Sequence, residues 1–308
     1  MQAIRIHNYG GADVLMLEET PTPTPKANEV LVKVQAASVN PVDWKIREGH
    51  MKDMIPIQFP ATLGSDFAGV IEAVGPDVTN WQVGQSVFGS PAQGSGAYAQ
   101  YAAAASQTIA EKPNNVDFAQ AASLPVAALT AWQGLFDHGH LEAGQSVLIH
   151  GAAGGVGMFA VQFAKWKGAT VYATAGADDL DWARELGADT VIDYKNARFE
   201  DSAKDVDLVL DLIGGETQTR SFAVIKPGGA LIATAQPPAP AAGKDKHIRA
   251  EMMNMKPTTA ALQQVIDLLS EGKIRTFIGA TFPLAEVKQA HELSQNGHVR
   301  GKIILEIS

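Results

Sequence analysis

The sequence has 308 residues, of which 46% are hydrophobic and 19% charged, with no cysteine and a formal net charge of -9 at pH 7. The lack of cysteine excludes disulfides, thiolate nucleophiles, thiolate zinc sites and cysteine-bound iron–sulfur clusters. The negative charge argues against nucleic acid as a partner, because binding it needs a positive surface. No apolar run reaches the roughly 18 residues of a membrane span, and no signal-peptide core is evident, so we expect a cytoplasmic protein.

Two patterns follow each other along the chain. The N-terminal region carries Val and Ile at short spacing, as in EVLVKVQAASVN and SDFAGVIEAVG, which predicts a strand-rich domain. From residue 146 onward strands and helices alternate: the predicted series is SVLIHG (strand), VGMFAVQFAKWKG (helix ending at Gly168), ATVYATA (strand), DLDWARELGA (helix), DTVIDY (strand), VDLVLDLIGG (strand), ETQTRSFAVIK (helix) and GGALIATA (strand). This alternation is typical of a parallel sheet with helices on both faces.

The remaining C-terminal segments predict a loop and two further helices. PPAPAAGKDK, residues 237–246, is rich in Pro and Ala and is predicted to be a mobile loop. TTAALQQVIDLLSEG predicts a helix that leads out of the sheet domain, and LAEVKQAHELSQNG followed by KIILEI predicts a helix and a strand.

The segment HGAAGGVG, residues 150–157, joins the first strand of the alternating series to its first helix. Its Ala152-x-Gly154-x-x-Gly157 spacing is that of the dinucleotide fingerprint, with alanine in the first position. Backbone N–H groups at the helix N-terminus would hold a pyrophosphate, which the helix dipole also favours. A glycine turn without a ligand is the alternative. The predicted cofactor-binding residues of this segment are Ala153, Gly154, Gly155, Val156 and Gly157.

The tip of the second strand of the series predicts which dinucleotide binds. It ends Thr174-Ala175-Gly176, without the carboxylate that receives the ribose 2′-hydroxyl of NAD. A small neutral tip leaves room for a 2′-phosphate, so we predict NADPH, with Thr174 beside it, although no basic residue adjoins the tip in the sequence. Asp178 and Asp179 follow; they either cap the next helix or point at the ribose, which would reverse the preference.

With these motifs the chain resembles the zinc-free medium-chain dehydrogenase/reductases, in the quinone oxidoreductase and alkenal/enone reductase branch. The matching stretches are AASVNPVDWKIREG, LGSDFAGVIEAVG, AASLPVAALTAWQGL, HGAAGGVG, LGADTVIDY, DLIGGE, KPGGALI and GHVRGKIIL. The resemblance implies an α/β fold: a GroES-like β-rich catalytic domain over 1–123 and 276–308, and a Rossmann doubly wound parallel-sheet NADPH-binding domain over 124–275. It also implies a homodimer, with GGALIATA as an edge strand that pairs across a two-fold axis.

The resemblance also implies chemistry without a metal. Zinc-dependent cousins have Cys in place of Asn40, a His-Glu pair at Ser65-Asp66 and a third ligand near Val126. Ser, Asn and Val cannot supply the ligand set that tetrahedral zinc requires, and the eight histidines are scattered along the chain. We therefore expect an NADPH-dependent oxidoreductase that transfers hydride to a quinone or an α,β-unsaturated carbonyl without a metal.

Hydride transfer to such a substrate needs a group that stabilises the negative charge developing on oxygen. The segment from Asn40 to Lys45 matches the family's substrate-cleft segment. We predict that Asn40 donates an amide hydrogen bond and that Lys45 stabilises the oxyanion or supplies a proton; a solvated surface lysine is the alternative for Lys45. Asp43 is predicted to be structural, with Lys302 as its partner, and Lys302 resembles a residue that contacts the pyrophosphate.

The resemblance assigns the remaining cofactor contacts. Thr130 matches a position beside the nicotinamide, Leu212, Ile213 and Gly214 match a loop against the ribose, and Tyr194 matches a residue beside the adenosine 2′ end. Tyr98 and Tyr101 are predicted to be packing residues. Two other functions stay open: a non-catalytic protein that binds NADPH for stability or sensing, and a zinc-independent ketone reductase.

Overall fold

The computed structural model describes residues 1–239, 243–297 and 299–308. In these residues the chain forms two compact units, which are Met1–Val126 with Pro257–Gly272 and Thr276–Ser308, and Ala127–Lys256 with Lys273–Arg275. This division differs from the predicted domain boundaries at 124–126 and 257–272, which belong to the first unit and not to the second.

In chain order, the strands are β1 (Gln2–Ile6), β2 (Met16–Glu19), β3 (Glu29–Val39), β4 (Ala61–Thr62), β5 (Asp66–Val74), β6 (Ser86–Gly89), β7 (Tyr101–Ala105), β8 (Ile109–Glu111), β9 (Ser146–His150), β10 (Thr170–Ala175), β11 (Thr190–Asp193), β12 (Val206–Asp211), β13 (Ile225–Ala233), β14 (Arg249–Met252), β15 (Ile278–Pro283) and β16 (Lys302–Glu306). The α-helices are α1 (Pro41–Arg47), α2 (Phe118–Ala122), α3 (Pro125–Trp132), α4 (Gly155–Lys167), α5 (Leu180–Glu185), α6 (Phe199–Ser202), α7 (Gly215–Ser221), α8 (Thr259–Ser270) and α9 (Val287–Asn296).

The first unit is built on a mostly antiparallel sheet with the strand order β15-β16-β3-β5-β6-β8, and β7 also pairs with β3. A smaller sheet has the order β2-β1-β4. The alternating residues Val30, Val32 and Val34 of β3 are buried in the core of this unit, as expected for a strand that turns one face inward. The C-terminal strand β16 runs antiparallel to β3, with Ile304 opposite Ser38, so the end of the chain lies in the first unit.

The helix α8 belongs to the first unit because its N-terminal end is hydrogen-bonded there. The Thr259 amide donates to the Gln107 carbonyl at 2.9 Å, and the Thr259 hydroxyl donates to the Ile109 carbonyl at 2.8 Å. The amphipathic face of α8 buries Leu262 and Val265.

The second unit contains the predicted parallel sheet, with the strand order β11-β10-β9-β12-β13-β14. The first strand of the series, β9, lies between β10 and β12, so the strand order reverses beside it, as in a Rossmann fold. The helix α4 follows β9 and ends at Lys167, where Gly168 adopts a left-handed conformation with φ of 89°, as the sequence predicts. The predicted α/β fold is confirmed.

The prediction that GGALIATA is an edge strand is wrong. Residues Ala230–Ala233 of β13 pair with Arg249–Met252 of β14, and β14 lies at the end of the sheet. A four-residue strand such as β14 is too short to produce a clear periodicity, which is why the sequence did not indicate it. Part of the loop predicted at 237–246, namely 240–242, lies outside the described residues, and Lys244–Lys246 form a 3-10 turn.

Across the part of the chain that the structure describes, no helix has the length and apolar composition needed to cross a bilayer.

Candidate functional site

In the second unit the predicted glycine segment forms a tight turn between β9 and α4. Gly154 is the N-cap of α4, and none of the described side chains caps this end of the helix. The first N–H groups of a helix have no acceptor within the helix. A Cβ at Gly157 would lie 2.1 Å from the Gly151 carbonyl oxygen, whereas a Cβ at Gly154 would meet that oxygen at 3.6 Å. Gly157 therefore allows close helix packing, and the open helix end fits a phosphate.

Thr174, predicted to lie near the 2′ end of the cofactor, is hydrogen-bonded to the glycine turn. Its side chain is 4% exposed and its Oγ1 accepts from the Gly151 amide at 3.3 Å. The same oxygen lies 3.1 Å from His150 Nδ1, and His150 Nε2 lies 2.9 Å from Ser221 Oγ. Burial lowers the pKa of His150, which keeps the imidazole neutral. The sequence analysis missed His150; a polar residue at the end of an apolar strand was the signal that could have found it.

Tyr194, which the resemblance places beside the adenosine 2′ end, lies at the tip of β10, and the Lys195 ammonium lies near its ring. The Tyr194 amide donates to the Ala175 carbonyl at 3.2 Å, and a Cβ at Gly176 would lie 3.8 Å from Tyr194 Cε1. The Tyr194 side chain is exposed, and Lys195 Nζ lies 5.9 Å from the centre of its ring. The sequence analysis found no basic residue at this tip because Lys195 comes near it only through the pairing of β10 with β11.

The acidic pair after β10 lies at a 3-10 turn, Ala177–Asp179. Asp178 is exposed. Asp179 is the N-cap residue of α5, but its side chain makes no hydrogen bond to the first turn of that helix. Helix capping by the Asp179 side chain is therefore not the arrangement in the structure.

The loop Leu212–Gly214 lies beside the glycine turn. Asp211, the buried last residue of β12, accepts from the Ile213 amide at 3.0 Å and from the Gly214 amide at 2.9 Å. Its other oxygen accepts from Gln218 Nε2 at 2.9 Å. A Cβ at Gly151 would lie 3.1 Å from Ile213 Cδ1, so the two loops are neighbours, and the Ile213 side chain is 56% exposed. Sequence reasoning selected this loop but missed the carboxylate that orders it.

Most predicted cofactor residues thus meet at the carboxyl ends of four neighbouring strands, β11, β10, β9 and β12. This is the edge at which open parallel sheets bind ligands. Thr130 lies elsewhere in the second unit, on α3, and is 8% exposed.

The first unit holds a buried cation among polar side chains. Lys302, 3% exposed, donates from Nζ to Asn40 Oδ1 at 2.5 Å and lies 3.7 Å from Asp66 Oδ2. That carboxylate oxygen accepts from Asn40 Nδ2 at 2.8 Å and from Ser38 Oγ at 2.6 Å, and Asp66 Oδ1 accepts from the Val126 amide at 2.9 Å. Burial raises the pKa of Asp66 and lowers the pKa of Lys302, and their mutual attraction opposes both shifts.

This arrangement corrects the predicted partner of Lys302 and shows what the Asn40 side chain contacts. Asn40 is 2% exposed, and its side-chain amide donates to Asp66 at 2.8 Å and to Ser38 at 3.5 Å, so its predicted hydrogen bond to substrate stays a prediction. The nearest carboxylate to Lys302 is that of Asp66 and not that of Asp43. The Lys302 ammonium donates within this group of buried side chains, and its predicted contact to the pyrophosphate stays a prediction. Hydrogen bonds between residues so distant in sequence leave no local pattern.

Asp43 is the second buried carboxylate of the first unit, at 1% exposure. Its Oδ2 accepts from the Asn40 backbone amide at 2.8 Å and from the Tyr98 hydroxyl at 2.9 Å. Its Oδ1 accepts from Ser65 Oγ at 2.6 Å. Burial raises the pKa of Asp43 to about 6, and the hydrogen bond from Ser65 opposes this shift.

A chain of hydrogen bonds continues from Asp43 through Tyr98. The Tyr98 oxygen lies 3.3 Å from His291 Nε2, and His291 Nδ1 lies 3.0 Å from Arg47 Nη1. Burial and then the charge of Arg47 lower the pKa of His291 to about 3. Tyr98 is a core residue as predicted, but its hydroxyl also links two titratable side chains.

The zinc ligand positions of related dehydrogenases carry Asn40, Ser65 and Asp66 in this chain, and these residues do not fit the metal. An amide and a hydroxyl are not among the Cys, His and carboxylate ligands of zinc sites, and the Lys302 ammonium already occupies the Asn40 oxygen. Within the described residues there is also no group of three or more His, Cys, Asp or Glu side chains that could hold a metal ion.

Lys45 lies on α1, two residues after Asp43. Its side chain is half-buried and its Nζ lies 5.6 Å from the centre of the Trp44 ring. Among the residues that the structure describes, no carboxylate forms an ion pair with this ammonium. The cation is thus available for an anionic ligand.

Comparisons with known proteins agree with this geometry. A model of the alcohol dehydrogenase GroES-like domain matches residues 26–114, and a model of zinc-binding dehydrogenases matches residues 186–305. A chloroplast envelope quinone oxidoreductase homolog of Arabidopsis thaliana is 36% identical, over 99% of this chain and 98% of its own length. The structure of the quinone oxidoreductase from Coxiella burnetii has a TM-score of 0.92 at 37% identity, covering 100% of this chain and 99% of that one. The structure of Escherichia coli quinone oxidoreductase complexed with NADPH has a TM-score of 0.90 at 26% identity, covering 99% and 100%.

Proposed function

Because this chain belongs to the quinone oxidoreductase branch of the medium-chain dehydrogenase/reductase superfamily, we propose that it is a metal-free, NADPH-dependent reductase of quinones or α,β-unsaturated carbonyls. Membership makes the protein an oxidoreductase with a nicotinamide cofactor. In this proposal the second unit is the cofactor domain and the first unit the catalytic domain, and the location is cytoplasmic.

The second unit has the residues to hold the dinucleotide. The N–H groups of Ala153–Gly157 at the start of α4 would bind the pyrophosphate, and Leu212–Gly214 would lie against the ribose. Thr174 stabilises the glycine turn by accepting from the Gly151 amide. Thr130 is assigned to the nicotinamide by family resemblance alone. When bound, the cofactor supplies a hydride to the substrate.

NADPH is preferred in this proposal because β10 itself ends in Thr174 and Ala175 without an acidic residue, and Lys195 Nζ lies 5.9 Å from the ring of Tyr194 next to this tip. Asp193, opposite Ala175, accepts hydrogen bonds from the Lys195 amide and Asn196 Nδ2. A cation at that place would attract a 2′-phosphate. We expect Lys195→Glu to weaken NADPH binding about tenfold or more, since it replaces an attractive charge by a repulsive one, and to leave NADH binding nearly unchanged. Lys204→Glu, at an exposed position, makes the same charge change away from the tip. Fluorescence titration of both cofactors measures this, and tighter binding of NADH by the unmodified protein would contradict the preference.

On the substrate side, the proposal assigns oxyanion stabilisation to Lys45. An ammonium without a carboxylate partner is suited to a negative charge that develops on a carbonyl oxygen. Asn40 has a positioning role in the proposal, because its side chain joins Lys302 to Asp66.

The function is tested by following NADPH consumption with a benzoquinone, an enone and a plain ketone in parallel, before and after exhaustive chelation. The proposal expects turnover of the quinone or the enone, none of the ketone, and no loss on chelation. Turnover of the ketone alone would indicate the ketone reductase, and binding of NADPH without turnover of any substrate would indicate the non-catalytic protein. Stoichiometric zinc in the purified active protein would contradict the metal-free chemistry.

A further inference from the structure

The hydrogen bonds that end at Asp43 run in one direction. Arg47 has only donors, so its Nη1 donates to His291 Nδ1, which must then be the unprotonated ring nitrogen. His291 Nε2 therefore carries the hydrogen and donates to the Tyr98 oxygen, and Tyr98 donates its own proton to Asp43 Oδ2. Arg47 at the far end accepts no proton, so this chain cannot carry protons in from solvent.

The direction of the chain makes the two oxygens of Asp43 different. Oδ2 accepts from both the Tyr98 hydroxyl and the Asn40 backbone amide. The amide hydrogen is fixed by the backbone, and the Tyr98 hydrogen cannot turn toward His291 because His291 Nε2 is itself a donor. A proton on Oδ2 would face these two hydrogens. Oδ1 has Ser65 as its hydrogen-bond partner, and a hydroxyl can donate or accept. When Asp43 is protonated, the proton therefore lies on Oδ1 and is donated to Ser65 Oγ.

Ser65 lies between this buried proton on Asp43 and the less buried surroundings of Asp43, Tyr98 and His291. Its side chain is only partly buried, whereas Asp43, Tyr98 and His291 are fully buried. With Oδ1 protonated, the Ser65 hydroxyl accepts from Asp43 and its own hydrogen is released from that contact. It can then be donated to a ligand.

We propose that Ser65 is the catalytic proton donor of the reduction and that Asp43 acts through it as the proton store. The inference rests on the proposed function. After the hydride has reached the substrate, the Ser65 Oγ–H bond breaks and its proton passes to the negatively charged substrate oxygen. In the same step the Asp43 Oδ1–H bond breaks and its proton passes to Ser65 Oγ. Asp43 is left as a carboxylate, no side chain changes oxidation state, and water returns the proton through Ser65 after product release.

The surroundings of Asp43 permit this role. Burial raises its pKa to about 6, and the negative charge of Asp66 adds to this shift. The other titratable and charged groups around it are Arg47 on α1, Tyr98 before β7, His291 on α9 and Lys302 on β16. Because the acid form is the donor, kcat is expected to fall as the pH rises through about 6.

The experiment compares Ser65→Ala and Ser65→Thr with the unmodified protein, using an enone and saturating NADPH from pH 5 to pH 8. We expect Ser65→Ala to lower kcat by about a hundredfold, the usual contribution of a general acid, and to lose the fall of kcat near pH 6. Ser65→Thr keeps the hydroxyl and is expected to restore both. Ser86→Ala, at a half-buried serine of β6 outside the cluster, should change neither.

A second readout needs no turnover. Infrared difference spectra of the cofactor-free protein between pH 5 and pH 8 should contain a protonated carboxyl band that titrates near pH 6 and is absent in Asp43→Asn. In Ser65→Ala this band should shift in frequency, because the hydrogen-bond partner of Oδ1 is removed.

The inference is overturned if Ser65→Ala retains the rate and pH profile of the unmodified protein, or if no such band titrates. These outcomes differ from failure of the proposed function, in which the unmodified protein itself reduces neither quinone nor enone.

Discussion

Lys302 carries its charge in a place from which water is largely excluded, and its partner Asp66 is fully buried. Removing one member of such a pair leaves the other charge without compensation, which costs more than the pair itself contributes. The stabilisation therefore depends on keeping both charges, because either charge alone would be buried without compensation.

We expect Lys302→Met to lower the free energy of unfolding by about 3–5 kcal/mol at pH 7. The loss should shrink as the pH falls, because the pKa of Asp66 is already raised and rises further without Lys302, so that protonation removes the unpaired charge. Urea unfolding at several pH values measures this. Lys33→Met, at an exposed position of β3, is the control, and Asp66→Asn in the Lys302→Met background should recover part of the loss. An effect equal at all pH values would contradict the argument.

At the same scale, Lys45 is expected to act in the transition state and not in cofactor binding. Lys45→Met keeps most of the apolar stem without the charge. It should lower turnover of enones by about a hundredfold to a thousandfold, as loss of one oxyanion donor does, and leave the Kd of NADPH unchanged. Quinones are stronger electrophiles and should be affected less.

Steady-state kinetics with both substrate classes checks this expectation, with Lys52→Met at an exposed position as the control. Enone reduction by Lys45→Met at the unmodified rate would assign Lys45 to the solvated surface instead.

Among the elements, the turn between β9 and α4 depends on two glycines for different reasons. Gly157 is required by packing, since a Cβ would lie 2.1 Å from a backbone oxygen that cannot move away. Gly154 is not crowded by the protein, and a side chain there would occupy the space in front of the helix N-terminus. Gly157 is therefore required by the fold, and we expect Gly154 to be required by the ligand.

We expect Gly157→Ala to lower the melting temperature and to abolish NADPH binding, because α4 must move away from the turn. Gly154→Ala should leave the melting temperature nearly unchanged and still weaken NADPH about tenfold or more, since its methyl group blocks close approach of the pyrophosphate. Thermal unfolding and fluorescence titration on the same samples separate the two effects. If Gly154→Ala binds NADPH normally, the pyrophosphate does not lie at this helix end.

For the whole molecule, β14 lies at one end of the parallel sheet formed by the described residues, and we propose that the homodimer forms there. The Met253 amide donates to the Ala233 carbonyl of β13. Because successive amides of a strand point to opposite sides, those of Ala250 and Met252 point away from β13. An unpaired edge of this kind can pair with another strand, and two copies related by a two-fold axis satisfy each other.

Light scattering at micromolar concentration should report a dimer for the unmodified protein and a monomer for Met252→Pro, which removes one outward amide. Met252→Ala keeps that amide and should remain dimeric. A monomeric unmodified protein would refute the homodimer, and a dimeric Met252→Pro would move the interface to another surface.

The sequence by itself determined the parallel sheet, its first helix with the glycine stop, the glycine turn before that helix, and the residue types at the positions of the zinc ligands in the zinc-dependent relatives. These features have local signals: an apolar strand, a helical period, glycines at fixed spacing and the identity of single residues. The family resemblance, and not a local signal, selected Lys45, Tyr194 and the loop after β12, and it did not reveal their surroundings.

Only the tertiary structure decided what the buried charges contact. Lys302 meets Asn40 across 262 positions of the chain, and Arg47 meets His291 across 244, distances at which spacing carries no information. Strand pairing placed Tyr194, with Lys195 after it, beside the end of β10. Strand pairing also put β14, and not β13, at the end of the parallel sheet. The direction of the hydrogen bonds into Asp43 likewise exists only once α1, α9 and the segments that carry Ser65 and Tyr98 have packed together, because each donor is set by the acceptor that the next residue supplies.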